Sequence, residues 1–317
     1  MRIVFVMDPV ETVRWDADTS FALMLAAQAR GHRVDHCLMR DLYLDGGRVF
    51  ASVAQATMQL VPEKPIALGP REDVCLHDVD VVFIRKDPPF ESQYLWCTQM
   101  LEQLRGDTLV MNDARGVRDA NEKLYACRFP ELMPRTLVAS DKKRIKAFVE
   151  GVGGRAVIKP LSGARGESVF VLDAKDFNFN AIVEAQTDTG RRVAMVQEFL
   201  PAVHEGDKRV LVLGGEPLGA LLRVPASDDV RSNLAVGGRA VKTPITDAER
   251  ALVEKLKPSL LRDGLYFVGI DLIGGKLTEI NVTSPTGIQQ MTRLDGTDYS
   301  AQVVAWLEKN APTLAKR

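Results

Sequence analysis

The chain has 317 residues, 46% of them hydrophobic and 26% charged, the balance of a globular protein able to bury a sizeable core. Its 41 Lys and Arg against 42 Asp and Glu leave a net charge of -1, so no overall field draws it to nucleic acid or to an anionic membrane. Four cysteines (Cys37, Cys75, Cys97, Cys127) form no CxxC pair and read as reduced thiols, not as a disulfide framework or zinc site. The opening MRIVFVMDP reaches Asp8 after a run too short for a signal segment, and no stretch approaches the roughly 18 apolar residues of a membrane span. These features give a cytoplasmic expectation.

In chain order, IVFVM (3–7) is an apolar run ending at Asp8-Pro9, the pattern of a buried strand that delivers a loop. Thr19-Ser20 is expected to cap a helix through FALMLAAQARGH, with Gly31 as its stop. VDHCLM (34–39), VDVVFIR (79–85) and TLVMN (108–112) read as strands, and SQYLWCTQMLEQL (92–104) as a helix. Strands alternating with helices predict a parallel α/β sheet over residues 1–120. Two strand ends, MDP and RKDPPF, fall where ligands sit in such sheets.

After residue 120 the texture changes. ANEKLYACRF (120–129) reads as a helix, as does DKKRIKAFVEGV (141–152), closing at Gly151. Short strands follow: AVIKPL, VFVL, VAMVQEFL and KRVLVLGGEPLGALLRV, the last folded into a hairpin at GGEP. The polar stretch PASDDVRSNLAVGGRAVKTP (225–244) has the length of a functional lid. DAERALVEKLKPSLLRDG is an amphipathic helix, YFVGIDLIGGKLTEINV a second hairpin, and YSAQVVAWLEKN a closing helix.

The second hairpin carries the sharpest chemistry. Asp271 lies on its first strand, and Glu279 and Asn281, two apart, share a face of its second. Two carboxylates and an amide oxygen suit Mg²⁺, which takes its other ligands from water and phosphate; taken alone, a solvated polar strand edge explains the pattern equally well. The three residues share a face only if the loop spans Gly274, Gly275 and Lys276, pairing Ile273 with Leu277 and Asp271 with Glu279. A strict two-residue turn would send Asp271 to the far face. Lys159 ends the strand AVIK beside the glycine loop Ser162–Ser168, which contains Arg165 and offers backbone donors to phosphate. No GxxxxGK[ST] occurs in the chain, so this is not a Walker loop. Lys123, and the arginines Arg209 and Arg223 flanking the GGEP hairpin, have a solvated surface role as the plain alternative.

The succession DPP, NEKL, IKPL, QEFLP, GDKRVLV, NLAVGGR and GIDLIGGKLTEINVTSPTG resembles the bacterial glutathione synthetase family within the ATP-grasp superfamily. The likeness runs from about residue 7 to about residue 288. It implies an N-terminal parallel α/β substrate-binding domain (1–120) followed by a two-lobed ATP-grasp domain. The first lobe would be residues 121–200; the second (201–317) would hold the lid and the metal hairpin. Lys123 and Lys159 would hold the ATP phosphates, and Gln197, Glu198, Phe199 and Leu200 would line the adenine. Asp207 would bond the ribose, and Asp271, Glu279 and Asn281 would carry Mg²⁺, with Mn²⁺ as its substitute. Arg209 and Arg223 would stabilise the transferring phosphoryl group. Arg85, Ser284 and Thr286 would line the peptide side, and the lid from Pro225 to Arg239 would bring Arg231, Gly237 and Gly238 to the substrates. The implied reaction joins glycine to γ-glutamylcysteine through an acyl phosphate, with ATP as co-substrate, no nucleic acid or membrane partner, and a homotetrameric assembly. An ATP-grasp ligase for another carboxylate and amine, or a non-catalytic ATP-binding module, are the alternative readings. Two positions depart from the family pattern: Arg165 interrupts the glycine loop, and Gln289-Gln290 stand where an Arg-Glu pair is expected.

Overall fold

The first apolar run becomes β1 (Arg2–Met7), buried at every position from Ile3 to Met7, as a strand covered on both faces must be. This is a computed structural model, which describes residues 1–162, 166–225 and 237–316. After β1 the first sheet takes in β2 (Arg33–Cys37), β3 (Leu42–Asp45), β4 (Arg48–Met58), β5 (Ile66–Cys75), β6 (Val81–Arg85) and β7 (Leu109–Met111). β1 pairs in parallel with β2 and β6, and β6 with β7, so the expected parallel core is present. Beyond β2, the strands β4, β3 and β5 attach antiparallel. Helices α1 (Thr19–Ala29), α2 (Ser92–Leu101) and α3 (Ala114–Asp119) connect or follow these strands. The cap of α1 is Asp18, whose carboxylate accepts from Phe21 N at 2.9 Å, one residue before the Thr19-Ser20 expected from sequence.

A four-stranded sheet follows, of β8 (Thr136–Ala139), β9 (Arg155–Pro160), β10 (Phe170–Asp173) and β11 (Ala194–Glu198), in the order β10-β9-β11-β8. Helices α4 (Lys142–Gly151) and α5 (Phe179–Gln186) cover it with a core of its own, including Ile145, Val149, Ile158 and Val183. The last sheet holds β12 (Asp207–Leu213), β13 (Glu216–Val224), β14 (Arg239–Lys242), β15 (Phe267–Ile273) and β16 (Lys276–Asn281), in the order β14-β13-β12-β15-β16. Helix α6 (Asp247–Arg262) carries a capping box of Thr246 and Glu249, which satisfies two otherwise orphaned backbone donors. α7 (Ile288–Asp295) and α8 (Tyr299–Leu314) end the fold. Among the described residues no helix is long and apolar enough to cross a membrane.

The first and last sheets share their cores. Val4 and Val6 pack in one cluster with Val210, Ile270 and Ile280, while Phe5 and Phe83 join Phe267 and Val303 in another. The middle sheet stands apart, and the cleft lies where it faces the other two.

The segment 120–129 does not form the helix its sequence suggests; it makes a turn and one short 3-10 stretch, Ala126–Arg128. The reason is competition for backbone groups. β16 is the edge strand of its sheet, and an open edge needs acceptors for its N–H groups. Ile280 N donates to Glu122 O at 3.0 Å, and Leu277 N to Leu132 O at 2.9 Å. Asn121 Oδ1 also accepts from Lys123 N and Leu124 N, each at 3.1 Å, a local turn that favours non-helical backbone.

Asn112, at the end of β7, is 3% exposed and joins the two fused sheets. Its Nδ2 donates to Phe267 O at 2.7 Å and Val282 O at 2.8 Å, and its Oδ1 accepts from Phe267 N at 2.6 Å. An Asn112→Ala variant strands three buried backbone groups. It is expected to lose about 3 kcal/mol or more of stability, read as a lower urea midpoint; an unchanged midpoint would show that the amide is not a structural tie.

Candidate functional site

The cleft between the middle sheet and the fused pair has a volume of about 860 Å³. Its wall contains Lys123, Lys159, Gln197, Glu198, Phe199, Leu200, Asp207, Arg209, Arg223, Asp271, Glu279, Asn281, Arg85, Ser284 and Thr286. One surface therefore gathers residues from all three sheets. Gly237, with a left-handed φ of 100°, and Gly238 precede β14 and are not among the residues lining the cleft. Arg231, most of the expected lid (226–236) and Arg165 lie outside the described residues.

The hairpin of β15 and β16 reaches the expected arrangement by another route. Its tip is a strict two-residue turn: Gly274 and Gly275 have φ of 53° and 74°, and Ile273 pairs with Lys276. The three-residue loop is therefore corrected. Leu272 pairs with Leu277, and the register then shifts so that Asp271 stands opposite Glu279. Thr278 is the extra residue of this β-bulge, and a bulge turns every later side chain to the opposite face. Asp271, Glu279 and Asn281 thus share a face although the turn alone would separate them. Thr278 Oγ1 donates to Asp271 O at 3.1 Å, and the Thr278 carbonyl receives Lys159 Nζ at 3.3 Å.

Asp271 is 3% exposed and clasped from two sides. Arg209, its partner across the ladder, forks onto it with Nε to Oδ1 at 2.8 Å and Nη2 to Oδ2 at 2.7 Å. Arg223 Nη2 reaches Asp271 Oδ1 at 3.0 Å and Asp207 Oδ2 at 2.6 Å. Burial alone would push the Asp271 carboxyl up, but Arg209 and Arg223 hold it well below the usual carboxylate range. Burial pushes Asp207 up against the pull of Arg223. Lys123 Nζ meets Glu279 Oε1 at 3.0 Å. Burial lowers the Lys159 ammonium, with Glu279 opposing.

The oxygens fit a hard divalent cation. Asn281 Nδ2 donates to Gly269 O and Asp271 Oδ2, each at 3.1 Å, so its amide oxygen is left out of those contacts and can serve a metal. Among the described residues no group of three His, Cys, Asp or Glu is placed to hold one; the set is two carboxylates and an amide, as magnesium sites completed by phosphate oxygens commonly are.

On the side of the cleft formed by the middle sheet, Gln197 Nε2 donates to Thr136 Oγ1 at 3.1 Å, and Glu198 N to Arg135 O at 2.9 Å. Phe199 carries the Arg155 guanidinium 4.3 Å from its ring centroid. Val157, Val171, Val203 and Ile273 add an apolar slot that suits a flat base. At the opposite end Arg85 is 2% exposed, donating Nε to Ser20 Oγ and Nη2 to Pro285 O, both at 3.0 Å. Ser284 Oγ reaches the Arg85 carbonyl at 3.4 Å, and Thr286 Oγ1 accepts from Arg209 Nη1 at 3.3 Å.

Glu122 is a residue that sequence reasoning passed over. Its Oε1 accepts from Val282 N (3.0 Å), Thr283 N (3.2 Å) and Thr283 Oγ1 (2.8 Å). It fastens the exit of β16 while the next residue, Lys123, meets Glu279. The available signal was the Glu-Lys pair in NEKL, of which only the lysine was used. The apolar slot was invisible because its members come from four separate segments.

Replacing Asp271 by Asn in metal-free, nucleotide-free protein is expected to cost about 3–5 kcal/mol by leaving the buried Arg209 guanidinium without its anion and Arg223 with Asp207 alone. The contribution belongs to a carboxylate with a depressed folded-state pKa. It is complete above the unfolded pKa of roughly 3.9 and fades as pH falls below that value. Urea titrations of both proteins should give a gap that is constant from about pH 5 to pH 8 and narrows below about pH 4; a gap that widens in acid would contradict the assignment.

Comparison with known proteins places these features in context. The family model described as prokaryotic glutathione synthetase, N-terminal domain, matches residues 1–118, and that for its ATP-grasp domain matches residues 122–296. A glutathione synthetase of Gloeobacter violaceus is 47% identical over 100% of this chain and 99% of its own length. One from Bradyrhizobium diazoefficiens is 41% identical over 98% of each. Among solved structures, the D-cycloserine synthetase DcsG superposes with a TM-score of 0.66 at 16% identity, covering 96% of this chain and 99% of that one. The ATP-grasp ligase PsnB, complexed with minimal precursor, Mg and ADP, gives 0.64 at 16% identity over 98% of each.

Proposed function

The chain belongs to the prokaryotic glutathione synthetase family, and from that premise we infer that this cleft joins glycine to γ-glutamylcysteine at the expense of ATP. The observation that carries the reading is the opposed pair Asp271 and Glu279, set among Lys123, Lys159, Arg209 and Arg223. A carboxylate is a poor electrophile, and transfer of the γ-phosphoryl group of ATP makes it an acyl phosphate that the amine of glycine can attack. Both steps concentrate negative charge, and fixed cations in a secluded cleft stabilise it without reorganising.

In this reading Lys123 and Lys159, which meet the hairpin's second strand at the Glu279 carboxylate and the Thr278 carbonyl, bind the nucleotide phosphates as point charges. Arg209 and Arg223 present planar guanidinium groups to the transferring phosphoryl oxygens, and Thr286 and Asp271 keep Arg209 in position. Asp271, Glu279 and Asn281 hold Mg²⁺ or Mn²⁺. The metal, when bound, neutralises charge between the phosphates. Gln197–Leu200 and the apolar slot orient the base, and Asp207 meets the ribose. Arg85, Ser284 and Thr286 form the peptide wall, and the sequence from Pro225 to Arg239, with Arg231, Gly237 and Gly238, excludes water from the acyl phosphate. No nucleophilic Ser, Cys or His takes part. The same reading includes the expected homotetramer, which sedimentation of the purified protein tests.

A phosphate-release assay is decisive. Release should require γ-glutamylcysteine and glycine together, stop in EDTA, and return with Mg²⁺ or Mn²⁺. Release supported by a different carboxylate and amine, and not by these two, points to the alternative ligase; no release with any pair points to the regulatory module. Glu279→Gln is expected to lower turnover at least about a hundredfold with an unaltered melting temperature. Near-normal release by that variant at millimolar Mg²⁺ rejects the metal role of Glu279.

A further inference from the structure

Two features at the far end of the cleft are not used by the phosphoryl chemistry. One is the orphaned donor of Arg85. This side chain is 2% exposed, yet its two hydrogen-bonded partners, Ser20 Oγ and Pro285 O, are both neutral. Its third nitrogen, Nη1, is buried with no partner among the described residues. Leaving a buried guanidinium donor unpaired is costly, so the wall is built for an acceptor that arrives with a ligand. Burial lowers the basicity of Arg85, with Asp18 opposing, and an incoming anion would restore it.

The other feature is Gln289-Gln290. Gln289 Nε2 donates to Trp15 O at 3.0 Å and Asp18 O at 2.7 Å, which fixes the loop before α1 against the start of α7. Gln290 lines the cleft, and its Oε1 is buried without a donor among the described residues. Asp18, the cap of α1, lines the same wall. Burial raises its carboxyl, with Arg85 among the opposing influences. The wall therefore offers one unanswered donor on a cation beside a carboxylate and one unanswered acceptor. A single anion would satisfy the first and leave the other two; a group carrying both signs satisfies all three.

We propose that Asp18, Arg85 and Gln290 seat the zwitterionic α-amino acid head of the γ-glutamyl group, with Arg85 on its carboxylate and Asp18 and Gln290 on its ammonium. The assignment rests on the functional reading above and deepens it. Glycine is also a zwitterion, but it reacts through its nitrogen, so its ammonium is lost in the reaction. The glutamyl head keeps both charges from binding to release, and only it matches a wall with fixed partners for each. Gln290 contributes an uncharged acceptor, so the ammonium is shared between one carboxylate and one amide instead of two carboxylates. Arg85 also joins this wall to the reacting centre: Ser284 Oγ contacts its carbonyl, and its Nη2 contacts the Pro285 carbonyl, one residue before Thr286.

The test compares γ-glutamylcysteine with glutaryl-cysteine, which lacks the ammonium, and 4-aminobutyryl-cysteine, which lacks the α-carboxylate. The wild type should prefer the natural peptide over each by at least about tenfold in kcat/KM, since a buried charged partner is being removed. Asp18→Asn keeps an equally good helix cap, so its melting temperature should hold. That variant and Gln290→Leu should lose most of the discrimination against glutaryl-cysteine, keep that against 4-aminobutyryl-cysteine, and leave the KM for glycine unchanged. Arg85→Lys should show the reverse selectivity. Variants that discriminate as the wild type does, or that move the KM for glycine in place of that for the peptide, overturn the proposal. A wild-type chain that ligates these substrates not at all overturns the functional reading itself, and the two failures are thereby told apart.

Discussion

A buried carboxylate held between two guanidinium groups organises the cleft. Asp271 is almost wholly removed from water, and Arg209 and Arg223 repay its desolvation only because each meets it with good geometry. That demand fixes the neighbours. Arg209 must sit directly across the ladder on β12, Arg223 one strand further on β13, and Asp207 beside it to share the charge. The order of the last sheet, β14-β13-β12-β15-β16, is what puts these groups in one row. The bulge at Thr278 completes the row by bringing Glu279 and Asn281 to the same face. Without that single extra residue the hairpin would present its carboxylates to opposite sides.

The same row joins the fold to the chemistry. A phosphoryl group in transfer spreads charge over several oxygens, and the groups that meet it must already be in place. The groups proposed for that task stand on four adjacent strands, β13, β12, β15 and β16, of a sheet whose core is continuous with that of the N-terminal sheet. Lys159 comes from the middle sheet, which has its own separate core. It reaches across the cleft to the carbonyl of the bulged Thr278. Lys123 comes from the segment that covers the open edge of β16, so protection of that edge and delivery of a cation are accomplished by one stretch of chain.

Much of this was legible in the sequence, for physical reasons that differ by element. Strands buried on both faces, such as IVFVM and VDVVFIR, announce themselves as apolar runs, and capped amphipathic helices such as α6 do so by period and cap. β5 does not. Six consecutive residues from Leu68 to Asp73 are exposed, so it has no alternation and exists because the long strand β4 pairs with it. The short helices α5 and α7 carry too little pattern to stand out. Residues 120–129 have helical propensity that loses to the needs of the neighbouring edge strand. In the cleft, Asp271, Glu279 and Asn281 were readable from spacing, although the turn that was expected to align them is not the one present. Asp18 and Gln290, more than two hundred residues apart in sequence, gave no local sign; only folding places them on one wall.

In the proposed reaction this cleft activates a carboxylate as an acyl phosphate. Isotope transfer tests it most directly: γ-glutamylcysteine labelled with ¹⁸O in its C-terminal carboxylate is turned over with ATP and glycine, and the released phosphate is weighed by mass spectrometry. Each phosphate formed should carry one ¹⁸O, because the carboxylate oxygen that attacks phosphorus leaves with it when glycine attacks carbon. Unlabelled phosphate formed alongside ligated product would rule out an acyl phosphate on this carboxylate.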